Sequence, residues 1–76
     1  MRRDVQLFDR YPTLKRVIVN LKGADAPTFR GVLWQRRGGF LVLRDAQMLR
    51  PRMEAVTMDG EVLIPVSNIE FLQVIP

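Results

Sequence analysis

The chain has no cysteine and no histidine among its 76 residues. Without Cys there is neither a disulfide scaffold nor a thiolate metal site. Without His the commonest general base and the imidazole metal ligand are also gone. Serine occurs once, at Ser67, with no histidine to activate it. There is no P-loop Gly-Lys-Ser/Thr and no Asp-x-Asp-x-Asp calcium loop. Long apolar runs are missing too: the longest, Phe40 to Leu43 and Val62 to Val66, cannot span a membrane. The Met-Arg-Arg-Asp start has no apolar stretch behind it, so no signal peptide is expected and the chain reads as cytoplasmic. This inventory leads us to expect no enzyme, no metal and no cofactor. It points to a small binding module, a single domain over 1–76 whose apolar fraction of 47% argues against disorder.

One further absence organises the charge. No Lys or Arg occurs beyond Arg52, so residues 1–52 carry all twelve cations against four acids, a net of +8. Residues 53–76 carry four acids and no cation, a net of −4. Ten of the twelve cations are arginines. The planar guanidinium fork matches phosphate oxygens and stacks on bases, so the bias leans towards nucleic acid. A solvated basic surface that keeps the chain soluble, or complementary basic and acidic regions at an oligomer interface, would use the same residues.

What is present reads as a helix followed by short strands. Asp4 is a plausible helix N-cap, Val5/Phe8 and Leu7/Tyr11 can share an apolar face, and Pro12 ends a helix at about 4–11. From Lys15 the period becomes two, with Val17, Val19 and Leu21 on one face up to Lys22. Gly23 to Pro27 is turn chemistry. A second strand runs from about Thr28 to Arg36 with Phe29, Gly31, Leu33 and Gln35 on one face, and Gly31 inside it signals a sharp bend or close backbone approach. Arg37-Gly38-Gly39 is a turn whose glycines permit positive φ. A third strand runs from Phe40 towards Leu49 with Leu41 and Leu43 inward, and Arg50-Pro51-Arg52 breaks it. Glu54 to Met58 is a possible short strand, Asp59-Gly60 a hairpin signal, and Glu61 to Val66 a further strand. Ser67-Asn68 makes a short turn before a closing strand, Ile69 to Ile75. A helix and about five strands with tight turns predict a strongly bent, antiparallel small barrel over about 15–75.

This order resembles the Sm/LSm family, which includes the Hfq proteins. The resemblance covers roughly residues 3–75. It rests on Leu21-Lys22-Gly23, on Phe29-Arg30-Gly31-Val32-Leu33, on Phe40 to Ala46, and on Val62 to Leu72. It implies a mainly β fold: a short N-terminal helix, then a five-stranded, strongly bent antiparallel SH3-like barrel. It also implies assembly into a homo-oligomeric ring, a hexamer or heptamer, that binds RNA. The family's uridine pocket uses an Asp and an Asn from one loop and the Arg of Ile-Arg-Gly from another. By spacing, Arg36 stands at the Asp position and Phe40 at the Asn position, while Pro65 and Val66 replace Arg-Gly. Uridine specificity is therefore not carried over. The compact, divergent chain is similar to phage-encoded members, which suggests a viral source.

A different RNA contact remains available. Arg36 and Arg37 bring cations to the turn, Gly38-Gly39 exposes backbone N–H groups, Phe40 offers a stacking face, and Ser67 and Asn68 are the polar residues of the second loop. The plainer reading makes Arg36 to Gly39 a polar hairpin and Phe40 a core residue; for Phe40 packing weighs more. Trp34 falls on the opposite strand face from Phe29 and Leu33 and is expected to pack under the helix or against another subunit. For ring contacts the family pairs the fourth strand of one subunit with the fifth of the next. Here that gives Val62, Leu63, Ile64, Ile69, Phe71, Leu72 and Val74. Two other readings stand beside the RNA-binding ring: a homo-oligomeric adaptor with no nucleic-acid role, and a DNA-binding protein using the same basic face.

Overall fold

A computed structural model describes residues 13–76. The expected helix at about 4–11 lies outside the described residues. Within them the chain is antiparallel β: β1 (Lys15–Leu21), β2 (Thr28–Arg37), β3 (Phe40–Leu49), β4 (Val56–Met58), β5 (Val62–Pro65) and β6 (Ile69–Val74). A single 3-10 turn, Val66–Asn68, joins β5 to β6. The strand order is β4-β3-β2-β1-β6, with β5 also pairing β3. No described helix is long and apolar enough to cross a membrane.

The period-two pattern places the core. Val17 and Val19 of β1, Phe29 and Leu33 of β2, Leu41, Leu43 and Ala46 of β3, and Ile64 of β5 form one buried cluster. Each fully buried Leu or Val in it contributes roughly 1.5–3 kcal/mol relative to exposure. Leu21, Met48, Met58, Val62, Val66, Ile69 and Leu72 pack around the cluster.

One point of the expected layout is corrected. Asp59-Gly60 does not close a hairpin, because β4 and β5 do not pair with each other. Both pair antiparallel with β3, β5 opposite Phe40 to Leu43 and β4 opposite Ala46 to Met48. They are two halves of one strand. Between them the three residues Asp59, Gly60 and Glu61 oppose only Arg44 and Asp45 of β3, which is a one-residue β-bulge. The six short strands thus describe five strand paths. The dipeptide's turn propensity is local chemistry; whether the flanking strands then pair with each other depends on β3.

The sheet bends hardest at the same place. Against β2, Asp45 and Ala46 of β3 sit opposite the single residue Gly31, and Asp45 takes a left-handed backbone (φ 52). A Cβ on Gly31 would stand 2.9 Å from the Arg44 carbonyl oxygen and 3.0 Å from the Ala46 Cα. Both are backbone atoms of a packed strand and neither can swing away. Gly31 is therefore what lets β3 fold across β2, as its position inside an apolar strand predicted.

Candidate nucleic-acid interface

The β2–β3 connection is a two-residue loop, Gly38-Gly39, closed by the pair Arg37 and Phe40. Only Gly38 is left-handed (φ 59), the order of a II′ turn, which needs glycine first. Beside this loop lies the β5 end. Phe40 pairs with Pro65, and the Val66 N–H donates to the Gly39 carbonyl at 2.9 Å. At the other end of the 3-10 turn the Lys22 N–H donates to the Asn68 carbonyl at 2.8 Å. The first bond sets the Val66 end of the 3-10 turn beside the glycine loop, and the second ties its Asn68 end to the residue after β1.

The structure therefore gathers Arg37, Gly38, Gly39 and Phe40 at one end of the sheet, with Ser67 and Asn68 on the turn that leads away from it, all exposed. Arg36, opposite Leu41, is half-buried at the margin of this end. Phe40 stands outside the core cluster and is 41% exposed, which overturns the expectation that it packs. Its cross-strand partner explains this. Phe40 shares a face with Pro65, while the alternate face, Leu41 with Ile64, takes the core.

Arg37 is already engaged. Its Nη1 donates to Glu61 Oε1 at 3.2 Å. Arg44 donates to Glu61 Oε2 from Nη2 at 3.0 Å and from Nε at 3.3 Å, and its guanidinium lies 3.8 Å from the centre of the Trp34 ring. Hydrogen bonds from Arg44 and then Arg37 hold the Glu61 carboxyl below its ordinary value of 4.5. Trp34 thus receives a cation on its ring, and it is 39% exposed. Sequence reading missed this cluster. Its members stand apart in the chain, and only the β-bulge brings Glu61 beside β3.

The expected subunit contacts divide. Ile64 belongs to the chain's own core, and Val62, Ile69 and Leu72 pack around it. Leu63, Phe71 and Val74 are exposed, at 43%, 53% and 49%. The backbone edges supply what those buried side chains do not. The Gly39–Val66 hydrogen bond fixes the alternation along β5: Ile64 and Val62 face β3, and Leu63 turns its N–H and C=O outward. Pro65, which has no N–H, falls in an outward position too, so it costs the β3 ladder nothing. On β6 the Ile75 N–H to Arg16 carbonyl bond places the Leu72 and Val74 backbone groups outward. No described strand pairs with either outer edge.

No family model matches the chain, and no curated protein is significantly similar to it. Solved structures are. The Pyrococcus abyssii Sm protein, determined in complex with a uridine heptamer, superposes with a TM-score of 0.72 at 28% identity, over 93% of this chain and 96% of that one. The chain has the fold of the Sm proteins. The P. aerophilum SmAP1, crystallised as a heptamer, matches with a TM-score of 0.69 at 22% identity, over 100% of this chain and 93% of that one. The resemblance drawn from motif order therefore holds at the level of the fold. In the Sm-like chain, Arg37 and Phe40 meet Pro65 and Val66 at one end of the barrel, beside the glycine loop.

Proposed function

We propose that this Sm-like chain assembles head to tail into a closed homo-oligomeric ring that binds single-stranded RNA without catalysis. The observation that carries this reading is the pair of unpaired edges, β5 and β6, on an Sm fold. An edge that offers outward N–H and C=O groups flanked by exposed Leu63, Phe71 and Val74 invites strand addition. Because the two edges differ, the contact is heterologous, and it closes when the rotation permits. Both relatives support the reading: the P. aerophilum protein is a heptamer, and the P. abyssii protein holds a uridine heptamer.

In each subunit the RNA contact is the exposed end built from Arg36 to Phe40 with Ser67 and Asn68. Phe40 supplies a stacking face worth about 1–3 kcal/mol per base. Gly38 and Gly39 leave the backbone open to a close approach, and no side chain lies within 4 Å of where their Cβ atoms would be. Arg37 supplies positive charge, shared with Glu61.

Native mass spectrometry with and without oligouridylate tests both halves. A six- or seven-fold assembly that takes up RNA is expected; a stable monomer at micromolar concentration refutes the ring. Leu63→Pro removes one outward donor and leaves the β3 ladder intact, so it is expected to give folded monomers. Competition with duplex DNA separates RNA from DNA. Absence of RNA binding at low salt in an intact ring supports an adaptor role instead.

A further inference from the structure

Between β3 and β4 the chain turns on Arg50-Pro51-Arg52-Met53, where the Met53 N–H donates to the Arg50 carbonyl at 3.3 Å. Pro51 stands second in this turn, and Arg52, at φ 60, stands third. Proline followed by a left-handed residue is the order of a type II turn, whose third position favours glycine or asparagine. Arginine at that place strains the backbone. Its side chain gives nothing back to the fold, because it forms no ion pair or hydrogen bond among the described residues. A long cation kept where glycine would fold more easily points to a role outside the chain.

The turn lies against the β1–β2 loop, at the far end of the β2–β3 pair from Gly38-Gly39. The two loops enclose an open cleft of about 330 Å³. Ala24, Ala26, Pro51 and Met53 give it an apolar lining, and Met53 is 65% exposed, so packing within the chain does not account for it. Arg50 and Arg52, both exposed, line it too. Arg50 Nη1 donates to the Asp25 carbonyl at 3.4 Å, which ties one loop to the other. No residue of the cleft belongs to β5 or β6, so pairing of those edges does not consume it.

This lining selects among anionic partners. No aromatic side chain lines the cleft, so a nucleic-acid base finds no stacking face in it. The Asp25 carboxylate, with no ion-pair partner among the described residues, repels a continuous run of phosphates. A polypeptide carries its charges one side chain at a time and sets aliphatic groups between them. A guanidinium fork takes a carboxylate bidentately, and the unbranched Met53 adapts to the aliphatic group beside it. The Thr28 hydroxyl, also in the lining, donates to or accepts from a peptide backbone. Arginine and methionine are both enriched where proteins meet.

We propose that the cleft between the β1–β2 and β3–β4 loops docks a partner protein through an acidic segment. A carboxylate of that segment sits on Arg52 and Arg50, and a neighbouring aliphatic side chain sits on Met53 and Pro51. The proposal does not depend on RNA binding at the glycine-loop end.

Arg52→Gly separates this role from a structural one. Glycine suits φ 60, so the denaturation midpoint should hold or rise. Affinity for a labelled synthetic peptide of alternating glutamate and leucine, read by fluorescence anisotropy, should nevertheless fall about tenfold. Arg52→Gln should give the same loss, Met53→Ala a smaller one, and Arg36→Ala/Arg37→Ala none. The same peptide with lysine for glutamate should not bind. Unchanged affinity in Arg52→Gly, or a wild type that ignores the glutamate peptide, overturns the proposal. A midpoint that falls in Arg52→Gly overturns it by returning the side chain to the fold. Equal binding of the lysine peptide reduces the cleft to an indiscriminate apolar surface and overturns it too. Oligouridylate that displaces the peptide and is itself lost in Arg52→Gly overturns it in favour of a nucleic-acid site. Oligouridylate binding that depends on Arg37 alone leaves it standing.

Discussion

Arg37 and Arg44 converge on the Glu61 carboxylate, whereas Arg16 and Arg30 stand side by side with no ion-pair partner among the described residues. All four lie within residues 1–52, the basic part of the sequence. The adjacent Arg36-Arg37 pair draws the eye first, yet folding places an acid beside Arg37. The other two arginines are fourteen positions apart and become neighbours only through the β1–β2 register. Availability for an anionic ligand is thus set by what the sheet puts opposite a cation, not by how cations cluster along the chain. A phosphate that recruits Arg37 must displace Glu61 from it. One that meets Arg16 and Arg30 displaces only water.

The comparison can be broken most forcefully at Gly31. Gly31→Ala presses a methyl group onto the Arg44 carbonyl and Ala46, and the overpacking should destabilise the fold by about 3 kcal/mol. Urea denaturation measures this.

Next in size is Trp34→Ala, which removes the ring beneath Arg44 and should destabilise by about 1 kcal/mol. It also loosens the hold on Glu61, so a short oligouridylate should bind slightly tighter.

Glu61→Gln converts the committed pair into an uncommitted one. Affinity for short oligouridylate at low salt should rise, with little change in the denaturation midpoint. The wild type makes the same change with pH. The folded-state pKa of Glu61 lies below its unfolded value, so the ion-pair stabilisation is complete above the ordinary carboxylate range. It is lost as pH falls below that range, and only there should Arg37 become as available as Arg16. An RNA titration against pH checks this; a rise in affinity already at neutral pH would contradict it.

The smallest effect is expected at Gly39→Ala. A Cβ there meets nothing within 4 Å, and its backbone is not left-handed, so stability and RNA affinity should barely move. Gly38→Ala, at φ 59, should cost more, and denaturation of the two variants side by side separates them.

Much of the fold was legible because alternation is local. Val17 and Val19, Phe29 and Leu33, and Leu41 and Leu43 announce their buried faces within their own strands, and Gly31 announces the bend. The end of the barrel was legible because its two loops each carry turn residues. What escaped is long-range pairing. Asp59-Gly60 looked like a hairpin because the dipeptide favours one, while the choice of β3 as partner for both flanks is made elsewhere. Phe40 was expected inside because aromatics at strand starts pack, but its exposure follows from being paired with Pro65. Ile64 was grouped with the contacts between subunits, although the face it shares with Leu41 commits it to the core. The Glu61 cluster and the nearness of Arg16 to Arg30 depend on cross-strand register, which no local pattern encodes.

The unpaired β5 and β6 edges carry a consequence for the life of the chain. If they satisfy each other between copies, the isolated subunit is the exposed species and the assembly is the protected one. Folding and association then share one equilibrium, and resistance to unfolding becomes a function of dilution. A thermal midpoint would climb with protein concentration. Freshly made chains would pass through a window in which finding the right neighbour competes with sticking to the wrong one.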